Sequence, residues 1–172
     1  RFRVAERLLL TGHSHQAWPD VAFEAQQQAW LDAAGHLDLK WSLAEAQARR
    51  VRAGWRRLLG EPDAEVALGQ NTHELIGRWL SALPLDRRRR LVTTTGEFPT
   101  IRRQLVRLRE AGLEVVAVQS RPVDTLAERL AAAVDDHTAA ALVSSVLFET
   151  AEIVPGLFLL AKACARVGAE LL

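Results

Sequence analysis

At 172 residues, 49% hydrophobic and 25% charged, the chain is one domain's worth of sequence with enough apolar material for a sizeable core, which excludes general disorder. Its 22 Lys+Arg against 21 Asp+Glu leave a net charge of +1, so no global field recruits nucleic acid or an acidic membrane, and any partner is recognised at a local site. No apolar run reaches membrane-spanning length, no signal peptide is recognisable, and the one cysteine, Cys164, cannot form an internal disulfide; a cytoplasmic location is expected.

The opening stretch, "TGHSHQAWP", carries His13 and His15, but no Cys, Asp or Glu at ligand spacing joins them, and no metal site is expected. From Ala17 to Leu59 the pattern is helical. Ala22, Ala25, Ala29 and Ala33 recur with Phe23 and Trp30, followed by Ala44, Ala48, Val51, Trp55 and Leu58, and Gly60 ends the second helix. After Pro62 short β-like runs alternate with helices. The runs are Glu65–Leu68, Leu91–Thr95, Glu114–Val118, Ala140–Val146 and Ala169–Leu172. The helices between them carry Ile76/Trp79/Leu83, Ile101/Leu105/Leu108, Leu126/Leu130/Ala133 and Leu157/Leu160/Cys164. Strand runs without polar alternation are buried on both faces, and connections of this length suit crossovers. The expected fold is α/β, a mainly parallel sheet flanked by helices, with an N-terminal helical segment over 1–60 and the sheet domain over 61–172. The four-arginine run Arg87–Arg90 reads as a solvated loop before a strand, since no aromatic or basic cluster accompanies it.

In such sheets ligands bind at the carboxyl ends of the strands. "GQNTHELIG" places Asn71 as an N-cap with Glu74 three residues on, a capping box that explains both residues without a ligand; alternatively Asn71 and Thr72 present N–H groups and a hydroxyl where a phosphate is held. Neither GxxxxGK[ST] nor GxGxxG occurs, against a nucleoside triphosphate or a dinucleotide. In "TTTGEFPT" Pro99 suits a first helical turn, and Phe98 is either a hydrophobic staple or a ring that stacks on a flat ligand. In "SSVLFETAEIVP" Ser144 and Ser145 lie at the end of the Ala140–Val146 run, where hydroxyls can equally satisfy a turn.

Taken in order, these segments resemble the kynureninase-like branch of the class V aminotransferases, fold-type I enzymes that use pyridoxal 5'-phosphate (PLP). "TGHSHQAWP" is similar to that family's N-terminal Gly-Asn-Ser-Leu-Gly-x-x-Pro segment, "GHLDLKW" to its Gly-His segment with a following tryptophan, "QNTHELIG" to its phosphate-binding turn, and "EFPTI" to its Phe-Pro-Ser-Asp. The resemblance implies Asn71, Thr72, Phe98 and Ser145 as cofactor-binding residues and Ser14 and His36 as substrate-binding ones. His36 reads equally well as a helix C-terminal residue that suits the dipole. The implied activity is that of a PLP-dependent enzyme acting on an amino acid, foremost a carbon–carbon hydrolase working as a homodimer, with a cysteine desulfurase or an aminotransferase as the family alternative and a non-catalytic binding module as the alternative outside it. Ile101 stands in place of the family's aspartate and Phe148-Glu149 in place of a more polar pair, departures that bear on kynurenine specificity more than on fold or cofactor. The family's Schiff-base lysine has no counterpart: Lys40 and Lys162, the only lysines, fall elsewhere. With no methionine in the chain, a piece of a longer protein is expected.

Overall fold

The computed structural model describes residues 6–8, 10 and 17–172, which fall into two compact units, Arg1–Leu68 and Gly69–Leu172. In the first unit, helix α1 (Asp20–His36) and helix α2 (Lys40–Leu59) are joined by a single 3-10 turn, Leu37–Leu39. Pro19, in extended conformation, precedes α1, and Asp20 in the first turn complements the helix dipole. Gly60 ends α2 at φ 70°, a left-handed conformation that costs glycine nothing. Neither helix buries a residue. The run Glu65–Leu68 is not a strand, contrary to its apolar pattern: it joins no sheet, and arginines of α2 reach its neighbourhood instead, Arg52 Nε donating to the Val66 carbonyl at 3.2 Å and Arg56 Nε to that of Ala64 at 2.6 Å.

The second unit is the α/β part, helix α3 (Thr72–Ala82), β1 (Arg90–Thr94), α4 (Pro99–Glu110), β2 (Glu114–Val118), α5 (Leu126–Ala133), β3 (Thr138–Leu142), α6 (Phe158–Val167) and β4 (Glu170–Leu171). The four strands are all parallel in the order β2-β1-β3-β4. Both faces of the central strands are buried. Leu91 and Leu142 pack with Ile76, Leu80 and Leu105 of α3 and α4, while Val92 and Ala141 pack with Leu126, Leu130, Leu160 and Cys164 of α5 and α6. This division follows from handedness. The chain moves one way from β1 to β2 through α4 and the other way from β2 to β3 through α5, and right-handed crossovers put helices from opposite directions of travel on opposite faces. The exits of β1 and β3 therefore diverge, which makes the gap between their carboxyl ends the topological switch point.

β3 stops at Leu142, earlier than its run to Val146 implies. The Val143 N–H still donates to the Leu172 carbonyl at 3.0 Å, but Ser144 turns toward the loop after β1, and Val146 forms a bridge with Ile153 instead.

The arginine run is the loop before β1 that its pattern implies, but most of its side chains are tied to the fold. Arg88 donates to three main-chain carbonyls, Gly168 at 2.6 Å, Val167 at 2.8 Å and Asp136 at 3.2 Å, and Arg89 to that of Gly112 at 3.2 Å. Arg90 forks onto Glu114 at 2.8 and 3.0 Å and also pairs with Asp135. The run thus clasps the amino-terminal edge of the sheet, where the ends of α4 and α6 and the turn before β3 converge. Arg87, 85% exposed beside Asp86, makes no such contact, and Arg89 is exposed as well.

Candidate functional site

Helix α3 begins at Thr72 because Asn71, in extended conformation, turns its Oδ1 onto the Glu74 N–H at 2.9 Å. Glu74 reaches back, but to the Gln70 N–H at 2.7 Å rather than to that of Asn71, a capping box stretched by one residue. Gly69 is needed for this entry, since a Cβ there would lie 2.8 Å from the Leu75 side chain. The capping bonds engage neither the Thr72 nor the His73 N–H, so both lie at the positive end of the helix dipole without a partner among the described residues.

Beyond β1 the chain turns through Thr95-Gly96-Glu97 into α4. Gly96 is packed closely, a Cβ meeting Ser120 at 2.9 Å and Leu147 at 3.2 Å, and its N–H donates to Thr94 Oγ1 at 3.1 Å. Phe98 is the N-cap of α4 with Pro99 at the first helical position. Because Phe98 is the cap itself and not the residue before it, the geometry of a hydrophobic staple does not apply. Its ring is 48% exposed and meets Phe148, 50% exposed, edge to face at 5.0 Å.

Glu97 is the residue that sequence reasoning missed. It is 1% exposed, with Oε1 accepting from Thr94 Oγ1 at 2.9 Å and from the Ser144 N–H at 3.0 Å, and Oε2 accepting from Ser144 Oγ at 2.6 Å. Past the last pairing of β1 with β3, Thr93 with Leu142, this carboxylate takes over the link between the two strand ends. The only signal in the sequence is the hydroxyl run Thr93-Thr94-Thr95 at the end of an otherwise apolar strand.

Thr72, Glu97 and Ser144 line one pocket of about 300 Å3 at the switch point, whose other walls include Leu75, Ile76, Ile101 and Leu142. The structure thus brings Thr72 to this pocket, whereas Phe98, next to Glu97 in the chain, is not one of its lining residues. Asn71 supports the pocket as the cap of α3. It is Ser144 that lines the pocket, whereas Ser145 is exposed and its carbonyl accepts the Val154 N–H at 2.9 Å. His36 is the exposed last residue of α1 in the other unit, and Ser14 lies outside the described residues. Lys162 is on α6, which packs on the face of the sheet opposite α3 and α4; its Nζ lies 5.4 Å from the Phe158 ring centroid. A wider open groove of about 1050 Å3 runs between α1 and α2, lined by small residues such as Ala25, Ala29, Ala44 and Gly54, with Asp32 and Lys40 among its few charges.

Among the described residues no group of three or more His, Cys, Asp or Glu is placed to hold a metal, and no helix is long and apolar enough to cross a membrane. Burial pushes the Cys164 thiol up, so it is an inert member of the core. No protein-family model matches the sequence, and no curated protein matches it either.

Proposed function

We propose that this chain carries the cofactor-holding part of a PLP-dependent enzyme acting on an amino acid, a kynureninase-like carbon–carbon hydrolase. The observation that carries the reading is the meeting of Thr72, at an anion-ready helix N-terminus, with the loops after β1 and β3 around one pocket at the switch point. The residues fit the group at two ends. The free N–H groups of the first turn of α3 and the Thr72 hydroxyl suit a phosphate, and the half-exposed Phe98 offers a ring to a flat heterocycle.

When bound, PLP supplies an electron sink for negative charge at the amino acid's Cα. The work of this chain is binding and orientation. Thr72 and the helix N-terminus would hold the phosphate and Phe98 would offer its ring to the heterocycle, while Ser144, held by Glu97, fixes the loop that carries Ser145 and Phe148. Phe148 adds an apolar rim where a more polar pair would favour polar substrates.

The test is PLP binding to the purified protein, followed by absorbance, with Thr72→Ala beside the wild type. Losing one charge-assisted hydrogen bond, worth roughly 1.5–3 kcal/mol, should weaken binding about ten- to hundredfold while thermal stability holds, because Asn71 and Glu74 still cap the helix. Unchanged affinity in Thr72→Ala would leave "GQNTHELIG" an ordinary cap and end this reading of it.

A further inference from the structure

Glu97 raises a question that the phosphate and the ring do not answer. Its carboxylate is almost wholly buried, and all three of its hydrogen-bond donors are neutral, the hydroxyls of Thr94 and Ser144 and the Ser144 N–H. Among the described residues no Arg, Lys or His forms an ion pair with it. Burying a carboxylate without a positive partner is costly, and three hydrogen bonds from neutral donors offset that cost only in part. A glutamine would serve as well there: its Oε1 would accept the same two bonds, and its amide would donate to a rotated Ser144 hydroxyl. The buried carboxylate is thus left with capacity for a positive partner.

The surroundings say what kind of partner fits. Oε1 already accepts two hydrogen bonds, whereas Oε2 accepts one and has a lone-pair position left. Glu97 lines the switch-point pocket, whose walls at Leu75, Ile76, Ile101 and Leu142 are apolar. Thr93, the cross-strand neighbour of Leu142 and so on the same face of the sheet, carries a buried hydroxyl with no hydrogen-bond partner among the described residues, a second polar group with unmet capacity beside that wall. An apolar pocket with one anionic acceptor fits a ligand that has a hydrocarbon body and a positively charged N–H donor.

We propose that Glu97 is a binding residue for a protonated amine, which donates to Oε2 inside the switch-point pocket. The amine supplies the missing positive charge, and the apolar walls take the carbon chain beside it. This assignment rests on Glu97 and its pocket, not on the phosphate reading of α3, and holds for any ligand bearing such a group.

The experiment uses n-butylammonium as probe, with n-butanol (donor without charge) and tetramethylammonium (charge without donor) as controls at matched ionic strength. The readout is the amide resonance of Ser144, whose N–H is bonded to Glu97. Butylammonium should shift it saturably in the wild type, with each control about tenfold weaker or worse, and Glu97→Gln should weaken butylammonium by about tenfold or more. Equal binding of butanol or tetramethylammonium, full affinity in Glu97→Gln, or no saturable shift in the wild type would each overturn the assignment. If Glu97→Gln does not fold, the three-probe comparison in the wild type decides alone. Inorganic phosphate, titrated in parallel and read at the Thr72 and His73 amides, separates the two sites: a phosphate response without a butylammonium response overturns the amine site only, and the converse overturns the phosphate cradle only.

Discussion

The two ends of the sheet treat charge in opposite ways. At the amino-terminal edge Arg88, Arg89 and Arg90 reach main-chain carbonyls or carboxylates, so each guanidinium has partners within the fold. At the carboxyl edge, among the described residues, Glu97 is buried with neutral donors only, Thr93 keeps an unpartnered hydroxyl, and the capping bonds engage neither of the first two N–H groups of α3. Charge that the fold itself satisfies contributes stability, and polar capacity that the fold leaves unmet marks where a ligand belongs. The difference also sets what mutations should do: variants at the clasp should move stability without touching ligand binding, and those at the crevice should do more of the reverse.

The largest expected effect tests the closed end. Arg88→Ala removes three charge-assisted hydrogen bonds and leaves the carbonyls of Val167, Gly168 and Asp136 to find other donors, a loss of roughly 2–3 kcal/mol of unfolding free energy. Arg87→Ala, beside it in sequence, should stay within about 0.5 kcal/mol of wild type. Denaturant unfolding of both variants checks the pair, and equal effects would return the whole run to a solvated loop.

Acid probes the same edge. Burial would raise the Asp135 carboxyl, but hydrogen bonds from the Thr138 hydroxyl and the His137 N–H, with the Arg90 charge, hold it below its ordinary range. A carboxylate lowered in the folded state stabilises the protein above its unfolded pKa, about 3.9, and that contribution is lost as pH falls through the folded value. The hydrogen bond with Glu114 holds the Arg90 guanidinium above its usual value, so Arg90 stays charged throughout this window. Unfolding measured from pH 6 down to pH 2 should show the loss in the wild type, with a shallower slope in Asp135→Asn.

Much of this contrast was hidden in the sequence, for reasons that particular residues make plain. The strand Glu114–Val118 and the helix starting at Pro99 were legible because apolar runs and proline act locally. Glu65–Leu68 has the same short apolar character as a strand, yet a strand needs a neighbour, and no four-residue window shows whether one exists. The arginine clasp depends on three chain ends that meet only once the sheet is built, 48 to 80 residues from Arg88. Glu97 was hidden for the same reason: in a turn between strand and helix a glutamate reads as a solvated residue, and its burial is set by Ser144, 47 positions away. Asn71 was legible because its partner, Glu74, is three residues off.

At the open end, Asn71→Ala sharpens the comparison on a smaller scale. Losing the cap costs about 1 kcal/mol of stability whatever happens to a ligand, which makes Asn71 the one crevice residue expected to behave like the clasp. Thermal unfolding of the apoprotein measures it. No loss would mean that water caps α3 as well as the side chain does.

The smallest expected effect lies at the rim of the crevice. Phe98 and Phe148 belong to the two loops that Glu97 and Ser144 join below, so their contact can either hold those loops together or lie between them without consequence. An edge-to-face pair contributes roughly 0.5–1.5 kcal/mol beyond burial, and with both rings half exposed the lower part of that range applies. A double-mutant cycle with Phe98→Ala, Phe148→Ala and the double variant isolates the term in apoprotein unfolding. The same cycle in PLP affinity gives a second coupling, which should be the larger if the rings wall a ligand, because Phe98→Ala would then remove stacking and Phe148→Ala would release the ring that remains. Coupling confined to unfolding would make the aromatic pair a part of the scaffold and move the rim from the open end of the sheet to the closed one.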